Sequence, residues 1–418
     1  MKKITKKFIP ILIIILISIF IGYEHPILVE VPKKYVYFVL KKVGLRDNFL
    51  DKQINIKELK THTKDNSIEI KGNSFSTILT KIKSYEGKSA ALLLKNKNDS
   101  EIEYEIFTQD GFVIKENKAY EMNLPLFFYN NSNHSSGVKS VFSIDGNYFA
   151  LISAKKTSCL YASLVSLTNL REIIKSNCLP DVDEVDFNAL GGAYARIKDG
   201  MLLTVGVPTH KSDIIGKLAQ LKSSIFGKIL FIKDKSFLNS KNNEYSIFSS
   251  GHRNPQGLVI KNNTIFSLEH GPQGGDELNI ISKGQNYGWP IASYGTRYYG
   301  GKSYITNHSE NNFKEPLFTF LQAVAPTALN ICPKNLEKYY KNSNCLMGLS
   351  LRGMSILIFL LDSKNSKVIG VESILLDKRL RHFGLNSKTE LFLDDENNFY
   401  ITSDHDGLYK VKFDKFRQ

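Results

Sequence analysis

From about residue 60 onward the hydrophobic positions fall into short runs separated by polar turns. The runs are Ala90–Leu94, Val141–Ile152, Met201–Val207, Lys228–Ile232, Leu258–Ile260, Thr264–Leu268, Ile356–Leu361, Glu390–Leu393 and Asn398–Thr402. Some alternate and others are wholly apolar, and both are strand patterns when bounded by turn residues. Asp110-Gly111, Asp145-Gly146, Asp199-Gly200 and Asp406-Gly407 are hairpin signals, because a type I′ turn needs positive φ at both central positions. Amphipathic helices are few, with Leu167–Lys175 the one candidate. Strands without intervening helices exclude a doubly wound α/β fold and leave sandwiches, barrels and propellers. Roughly 350 residues of short strands is large for one sandwich, and radial repetition protects the edges of so many strands. No WD-type repeat is present, so the expected β-propeller over residues 61–418 rests on size and pattern.

The N-terminus follows a different pattern. Lys2, Lys3, Lys6 and Lys7 precede a sixteen-residue apolar run, Phe8 to Tyr23, interrupted only by Pro10, Ser18 and Gly22. Its length lies between a signal-peptide core and a full membrane span. No small-x-small cleavage site follows, so residues 1–25 read as an uncleaved signal anchor with its lysines on the cytoplasmic side, a cleaved signal peptide being the alternative. The bulk of the chain is then exported. Residues 26–60 read as a membrane-proximal segment, either an amphipathic element on the bilayer or a linker.

Composition changes this picture little. With 42% hydrophobic and 11% aromatic residues the chain can bury a large core. Its formal charge of +14 invites a nucleic-acid reading, but the lysines are scattered and no basic stripe interleaves with aromatics. A solvated lysine-rich surface, weakly attracted to anionic lipid, accounts for the charge without nucleic acid. The four cysteines fit export. Cys159 and Cys178 lie nineteen positions apart, Cys332 and Cys345 thirteen, and neither pair has zinc-site spacing. Two local disulfides are the simplest of the three connectivities.

Candidate chemistry concentrates between Gly251 and Pro290. Gly251-His252-Arg253-Asn254-Pro255-Gln256-Gly257-Leu258 is followed one strand later by Glu269-His270-Gly271-Pro272-Gln273-Gly274-Gly275-Asp276-Glu277-Leu278-Asn279. Gly284-Gln285-Asn286-Tyr287-Gly288-Trp289-Pro290 then carries the only tryptophan. Glycines let backbone approach a ligand, Arg253 can fork onto an anion, and Asp276 and Glu277 suit a hard cation.

These three stretches, in this order and spacing, resemble the glucose/sorbosone dehydrogenase family, the soluble glucose and aldose sugar dehydrogenases that use pyrroloquinoline quinone. Tyr294 to Gly300, Ala325-Pro326-Thr327-Ala328, Leu349 to Gly353 and Arg379-Leu380-Arg381 extend the likeness, which runs from about Gly191 to Phe413. The resemblance implies a six-bladed β-propeller with its site on the axis. It implies that Arg253 and Asn254 sit against the quinone, with Arg253 polarising its reactive carbonyl. His270, Gly271 and Pro272 would occupy the tract binding the cofactor's calcium, although the glucose enzymes have glutamine at His270. Tyr298 would contact the cofactor ring, and Arg379 and Arg381 would pair with its carboxylates. Arg352 stands where those enzymes use a cofactor-contacting lysine. Glu277 and Tyr287 match a structural calcium site, Tyr287 through its carbonyl. Guanidinium forks suit a tricarboxylate, and a cation beside an arginine stabilises charge on a quinone oxygen.

The likeness breaks at the base. The family histidine that takes the sugar hydroxyl proton falls at Ala189 in Asn188-Ala189-Leu190-Gly191-Gly192-Ala193, and Ala193 replaces an arginine. Shifting the alignment by one gives Asn188, and neither residue titrates near neutral pH. Val207 stands where an acidic residue is expected. His25, His62, His134, His210, His252, His308, His382 and His405 have no family role, which leaves His270 alone expected in the pocket. The general base is therefore unassigned. Three functional readings remain. One is a quinoprotein oxidising a sugar or alcohol and passing electrons to a cytochrome or quinone. The second is a catalytically impaired propeller that binds a carbohydrate or envelope ligand. The third is a structural or assembly module at the membrane, for which only the anchor and its basic flank speak.

Overall fold

The computed structural model describes residues 60–414, apart from 63–66, 72–74, 99–100, 117, 212–213, 239–243, 299–300 and 341–342. Strands β1 (Lys60–His62), β2 (Ser67–Lys71) and β3 (Ser76–Ser84) come first. They are followed by β4 (Ser89–Asn98), β5 (Glu101–Thr108), β6 (Phe112–Lys115) and β7 (Lys118–Glu121). Next are β8 (Val138–Ile144), β9 (Asn147–Lys156), β10 (Cys159–Ser166) and β11 (Glu172–Lys175), then β12 (Gly191–Ile197), β13 (Gly200–Val205), β14 (Lys228–Lys233) and β15 (Tyr245–Ser250). The run continues with β16 (Asn254–Lys261), β17 (Thr264–His270), β18 (Asp276–Ile281), β19 (Phe318–Phe320) and β20 (Pro326–Ile331). Helix α1 (Lys334–Tyr339) separates β20 from β21 (Asn344–Ser350), β22 (Ser355–Leu361) and β23 (Val368–Leu375). Strands β24 (Leu380–Leu385), β25 (Phe399–Ser403) and β26 (Gly407–Asp414) close the chain.

Strands β8 to β23 form four consecutive four-stranded sheets, each antiparallel. The remaining strands form one ten-stranded sheet in the order β1-β2-β3-β26-β25-β24-β4-β5-β6-β7. Its two antiparallel halves meet only where β24 and β4 run parallel over two residue pairs, Gly384 with Leu92 and Leu385 with Leu93. The N-terminal β3 pairs with the C-terminal β26 from Ser76–Asp414 to Ser84–Gly407, which ties the ends of the fold together. The first strands of successive sheets are neighbours, β4 beside β8, then β12, β16, β20, β24 and β4 again. The arrangement is all-β and propeller-like.

The core lies between sheets. Six apolar clusters occur among the described residues, and each bridges two adjacent sheets or halves. Phe142 and Phe149 pack on Leu203 and Leu230, for example, and Met347 and Ile358 pack on Ile401 and Val411. A middle strand covered on both faces needs no polar side, so β13, β21 and β22 are mostly apolar and are buried almost throughout. The outer β23 alternates between half-buried and exposed positions.

Two expectations fail locally. Leu167–Lys175 is a turn followed by β11, because Leu170 turns left-handed (φ 59°) and Glu172–Lys175 pairs with β10. Glu390–Leu393 is irregular apart from one bridge, Leu385 to Leu391. Of the four Asp-Gly turns, only Asp145-Gly146 has both residues at positive φ (49° and 76°). Asp199 is the second turn residue between Ile197 and Gly200, so its glycine already belongs to the strand. Disulfides join Cys159 to Cys178 and Cys332 to Cys345. The expected anchor (1–25) and membrane-proximal segment (26–60) lie outside the described residues, save Lys60. Among those residues no helix is long and apolar enough to cross a membrane.

Candidate functional site

The three glycine-rich stretches converge because each borrows hydrogen bonds from the next. Gly251 accepts from Trp289 N–H (2.9 Å) and Ser250 from Tyr287 N–H (2.9 Å), which lays Tyr287–Trp289 along the end of β15. His252 is fully buried, with Nε2 2.8 Å from Ser249 Oγ and Nδ1 3.0 Å from Glu269 Oε1. A carboxylate only accepts, so Nδ1 carries a proton. The ring stacks on Tyr287 at 4.6 Å. Arg253 N–H donates to the other oxygen of Glu269 (2.9 Å), and Arg253 C=O accepts from Val207 N–H (2.8 Å). Gly206 must be glycine, because a Cβ there would lie 2.1 Å from Ala189 O and 3.0 Å from Arg253 O. His252, Glu269 and Gly206 thus fix the main chain that carries Arg253, a role no sequence pattern assigned to them.

The Arg253 guanidinium donates to His270 O (3.3 Å) and to Tyr298 Oη (3.1 Å), with the Trp289 ring 5.3 Å away. Its Nε is buried without a partner, as is His270 Nε2. Asn254 pairs with His270 across β16 and β17, and its Oδ1 accepts from Gly191 N–H (3.1 Å). These groups line an axial cavity of about 760 Å³, into which Arg379, Arg381, Lys88, Lys139 and His382 also project. Arg381 is buried and forks onto Asp404. Burial, with the Arg253 and Arg381 charges behind it, pushes the His270 imidazole down to about 3. Burial and Arg381 push His382 down to about 3 as well. Both rings are neutral at neutral pH, so the cavity's positive charge comes from arginine and lysine.

Ala189 and Asn188 reach the same cavity, so the position of the missing base faces the pocket. Arg352 does not reach it. It lies exposed on the turn between β21 and β22, where its N–H bonds Val324 O (3.0 Å). Pro272 is buried away from the cavity, its ring against Gly295, and Tyr298 is 58% exposed at the rim. Sequence reasoning missed His382 and Lys139. The first lies next to Arg381 in the chain, and the second is a single lysine in the otherwise buried start of β8.

Beneath Arg253 a cavity of about 10 Å³, room for one small ion, is lined by Gly271, Glu269, Glu277, Gly275 and Tyr287 among others. Asn279 Nδ2 donates to both Glu269 (3.0 Å) and Glu277 (3.2 Å), and its Oδ1 is buried without a partner. Burial and then the Glu269 charge hold the Glu277 carboxyl well above the usual carboxylate range. Two buried carboxylates and an orphaned amide oxygen are hard oxygen donors lacking a cation, the donor set calcium prefers. Among the described residues no three or more His, Cys, Asp or Glu are grouped so as to hold a metal ion by themselves, so main-chain carbonyls such as that of Tyr287 would have to complete such a site. Asp276, which looked suited to a cation, is otherwise engaged. Its oxygens accept from Gly271 N–H (2.9 Å), Val324 N–H (2.7 Å) and Ala325 N–H (2.8 Å), pinning two loops.

A propeller-like all-β protein with a cationic axial cavity framed by these stretches defines a narrow class. The glucose/sorbosone dehydrogenase family model matches residues 165–401, and the chain belongs to that family. An uncharacterised protein of Synechocystis sp. is 32% identical over 198 residues, 45% of this chain and 47% of that protein. Aldose sugar dehydrogenase YliI of Escherichia coli is 46% identical over 71 residues, 16% and 19% of the two chains. The sequence matches thus span about half or less of these curated relatives. The solved apo form of soluble aldose sugar dehydrogenase from Escherichia coli has the same fold at 19% identity (TM-score 0.63, covering 80% of this chain and 99% of that one). The pyrroloquinoline quinone-bound aldose sugar dehydrogenase of Streptomyces coelicolor does so at 17% (TM-score 0.56, covering 81% and 98%).

Proposed function

We propose that this chain is a quinoprotein sugar dehydrogenase, a six-bladed propeller that holds pyrroloquinoline quinone in its axial cavity and oxidises a sugar or alcohol there. The observation that carries the reading is the meeting of Arg253, Asn254, His270, Tyr298, Arg379 and Arg381 in one cavity. Six blades follow if the ten-stranded sheet is divided at its short parallel contact, so that β4–β7 form one blade and β24–β26 with β3 another. When bound, the quinone would supply a two-electron acceptor for the carbinol hydrogen. Arg379 and Arg381 would take its carboxylates, Arg381 being already oriented by Asp404. Arg253, clamped along its main chain and flanked by Trp289 and Tyr298, would present its guanidinium to a reactive carbonyl. The neutral His270 keeps Nε2 free for a ligand. Glu277 and the Tyr287 carbonyl would hold calcium beneath this floor, bracing the Gly271 tract.

The disulfides and the N-terminal apolar run support a location outside the cytoplasm, held at the membrane by residues 1–25, with electrons passed on to a cytochrome or quinone. Reconstitution of the full chain with calcium and pyrroloquinoline quinone, followed by dye-linked oxidation of a panel of aldoses and alcohols, tests the proposal. Cofactor-dependent dye reduction with at least one sugar is expected. Tight cofactor binding without any oxidation would overturn it. That outcome would favour a binding propeller, the reading that alanine at position 189 supports.

A further inference from the structure

The dehydrogenase reading leaves one chemical requirement unmet, because oxidation of a carbinol needs a group to receive the hydroxyl proton. The family's position for it is Ala189, which lines the cavity but carries no titratable atom. The strand that follows, β12, begins with Gly191-Gly192 and packs directly on the start of β8. A Cβ at Gly192 would lie 3.1 Å from Lys139 O and 3.3 Å from Ser140 Cβ. Lys139 therefore stands on the neighbouring inner strand, beside the segment from which the histidine is missing, and its side chain lines the same cavity.

Lys139 is unusual for a lysine in this molecule. It is 8% exposed, and among the described residues it makes no ion pair. Its Nζ donates to the main-chain oxygen of Ser135, also in the cavity wall. The buried Lys228 offers a contrast, since its ammonium is satisfied by three carbonyls, those of Leu218, Ala219 and Phe226. A buried ammonium with one neutral acceptor is poorly compensated, and the charges around Lys139 make matters worse. Arg381 on β24 and Lys88 before β4 oppose its positive charge, and only Asp186, before β12, favours it.

We propose that Lys139 is the general base of this protein, taking over on β8 the proton transfer that the family assigns to a histidine at position 189. The step conserves atoms and charge. The substrate O–H bond breaks and its proton passes to the neutral Nζ, which becomes an ammonium. The electron pair left on oxygen forms the C=O bond as the carbinol hydrogen leaves with its pair to the two-electron acceptor, an o-quinone. Burial and then Arg381 pull the Lys139 amine down to about 7, so a substantial neutral fraction exists near neutral pH. The inference rests on the dehydrogenase reading.

The variant Lys139→Arg separates a base from a mere cation, because a guanidinium keeps the charge but does not release its proton. The expected result is that saturable calorimetric binding of pyrroloquinoline quinone is retained while kcat falls about 100-fold or more, the usual worth of a positioned general base. The acid limb of the wild-type pH profile should disappear as well. A second readout needs no cofactor: competitive acetylation of the apo full chain, read peptide by peptide as a function of pH. Lys139 should lose its proton about three pH units below exposed lysines. Wild-type turnover by Lys139→Arg, or a Lys139 that titrates with the exposed lysines, overturns the assignment alone. A wild type that binds the quinone and oxidises nothing overturns the dehydrogenase reading, and the assignment falls with it.

Discussion

Replacing Glu277 by glutamine should reverse its effect on stability according to whether calcium is present. Glutamine matches glutamate in shape and can still accept from Asn279 Nδ2, so little packing or hydrogen bonding is lost. What changes is charge. That one nitrogen donates to Glu269 at 3.0 Å and to Glu277 at 3.2 Å, which holds the two carboxylates close together in a buried site. Two like charges roughly 5 Å apart at an effective dielectric of about 20 repel by about 3 kcal/mol. In the folded state Glu277 keeps its proton at pH values where the unfolded chain has released it. The unfolded state then binds fewer protons, so metal-free stability falls as pH rises from about 4.5 until the folded-state value is passed. In chelator at neutral pH, Glu277→Gln should therefore raise stability by about 1–3 kcal/mol and flatten that pH dependence. With free calcium a hundredfold above its Kd the wild type should gain about 2.7 kcal/mol and the variant almost nothing. Urea unfolding of the full chain with disulfides intact, in chelator and in calcium, reads both signs. A variant less stable than wild type by the same amount in both conditions would refute the reasoning.

Three other outcomes follow from the same structure. Replacing Cys159 and Cys178 together by serine opens a loop with a separation of nineteen residues and should cost about 3 kcal/mol in urea unfolding; an unchanged midpoint would contradict this. Gly271→Ala would place a Cβ 2.2 Å from Gly274 O and 2.3 Å from Gly275 O, so the loop must shift. Calcium should then no longer raise the unfolding midpoint although the far-ultraviolet circular dichroism is kept, and a retained calcium response would count against the site. Unfolded lysine holds its proton to about 10.5 whereas folded Lys139 loses it near 7, so its contribution to stability should rise with pH across that window. Lys139→Met should remove that rise and be the more stable protein at pH 6; a parallel pH–stability curve would argue against it.

Much of the fold was legible because strand patterning and turn chemistry are local. Asp145-Gly146 adopts the conformation its type demands, and the apolar β22 is what a strand covered on both faces must look like. The misreadings also have local causes. Leu167–Lys175 carries helix-like spacing, but β10 offers β11 a ladder that outweighs propensity. Apolar residues at Leu391 and Phe392 pack against the core without entering a sheet. The site was legible where its residues lie close in sequence, from Arg253 to Tyr287. It was not legible where the pocket draws on separate strands. Lys139 and His382 are far apart along the chain, and no spacing rule joins them. The burial that lowers the Lys139 amine is likewise a property of the closed ring of sheets.

The central claim is that the axial cavity binds an anionic quinone through its arginines, with calcium bound beneath. Calorimetric titration of the full chain with pyrroloquinoline quinone, in chelator and then in calcium, tests it most directly. The account predicts one site per chain, tighter binding in calcium, and heat largely abolished by Arg381→Ala. No saturable heat in either condition, or equal binding by Arg381→Ala, would contradict it.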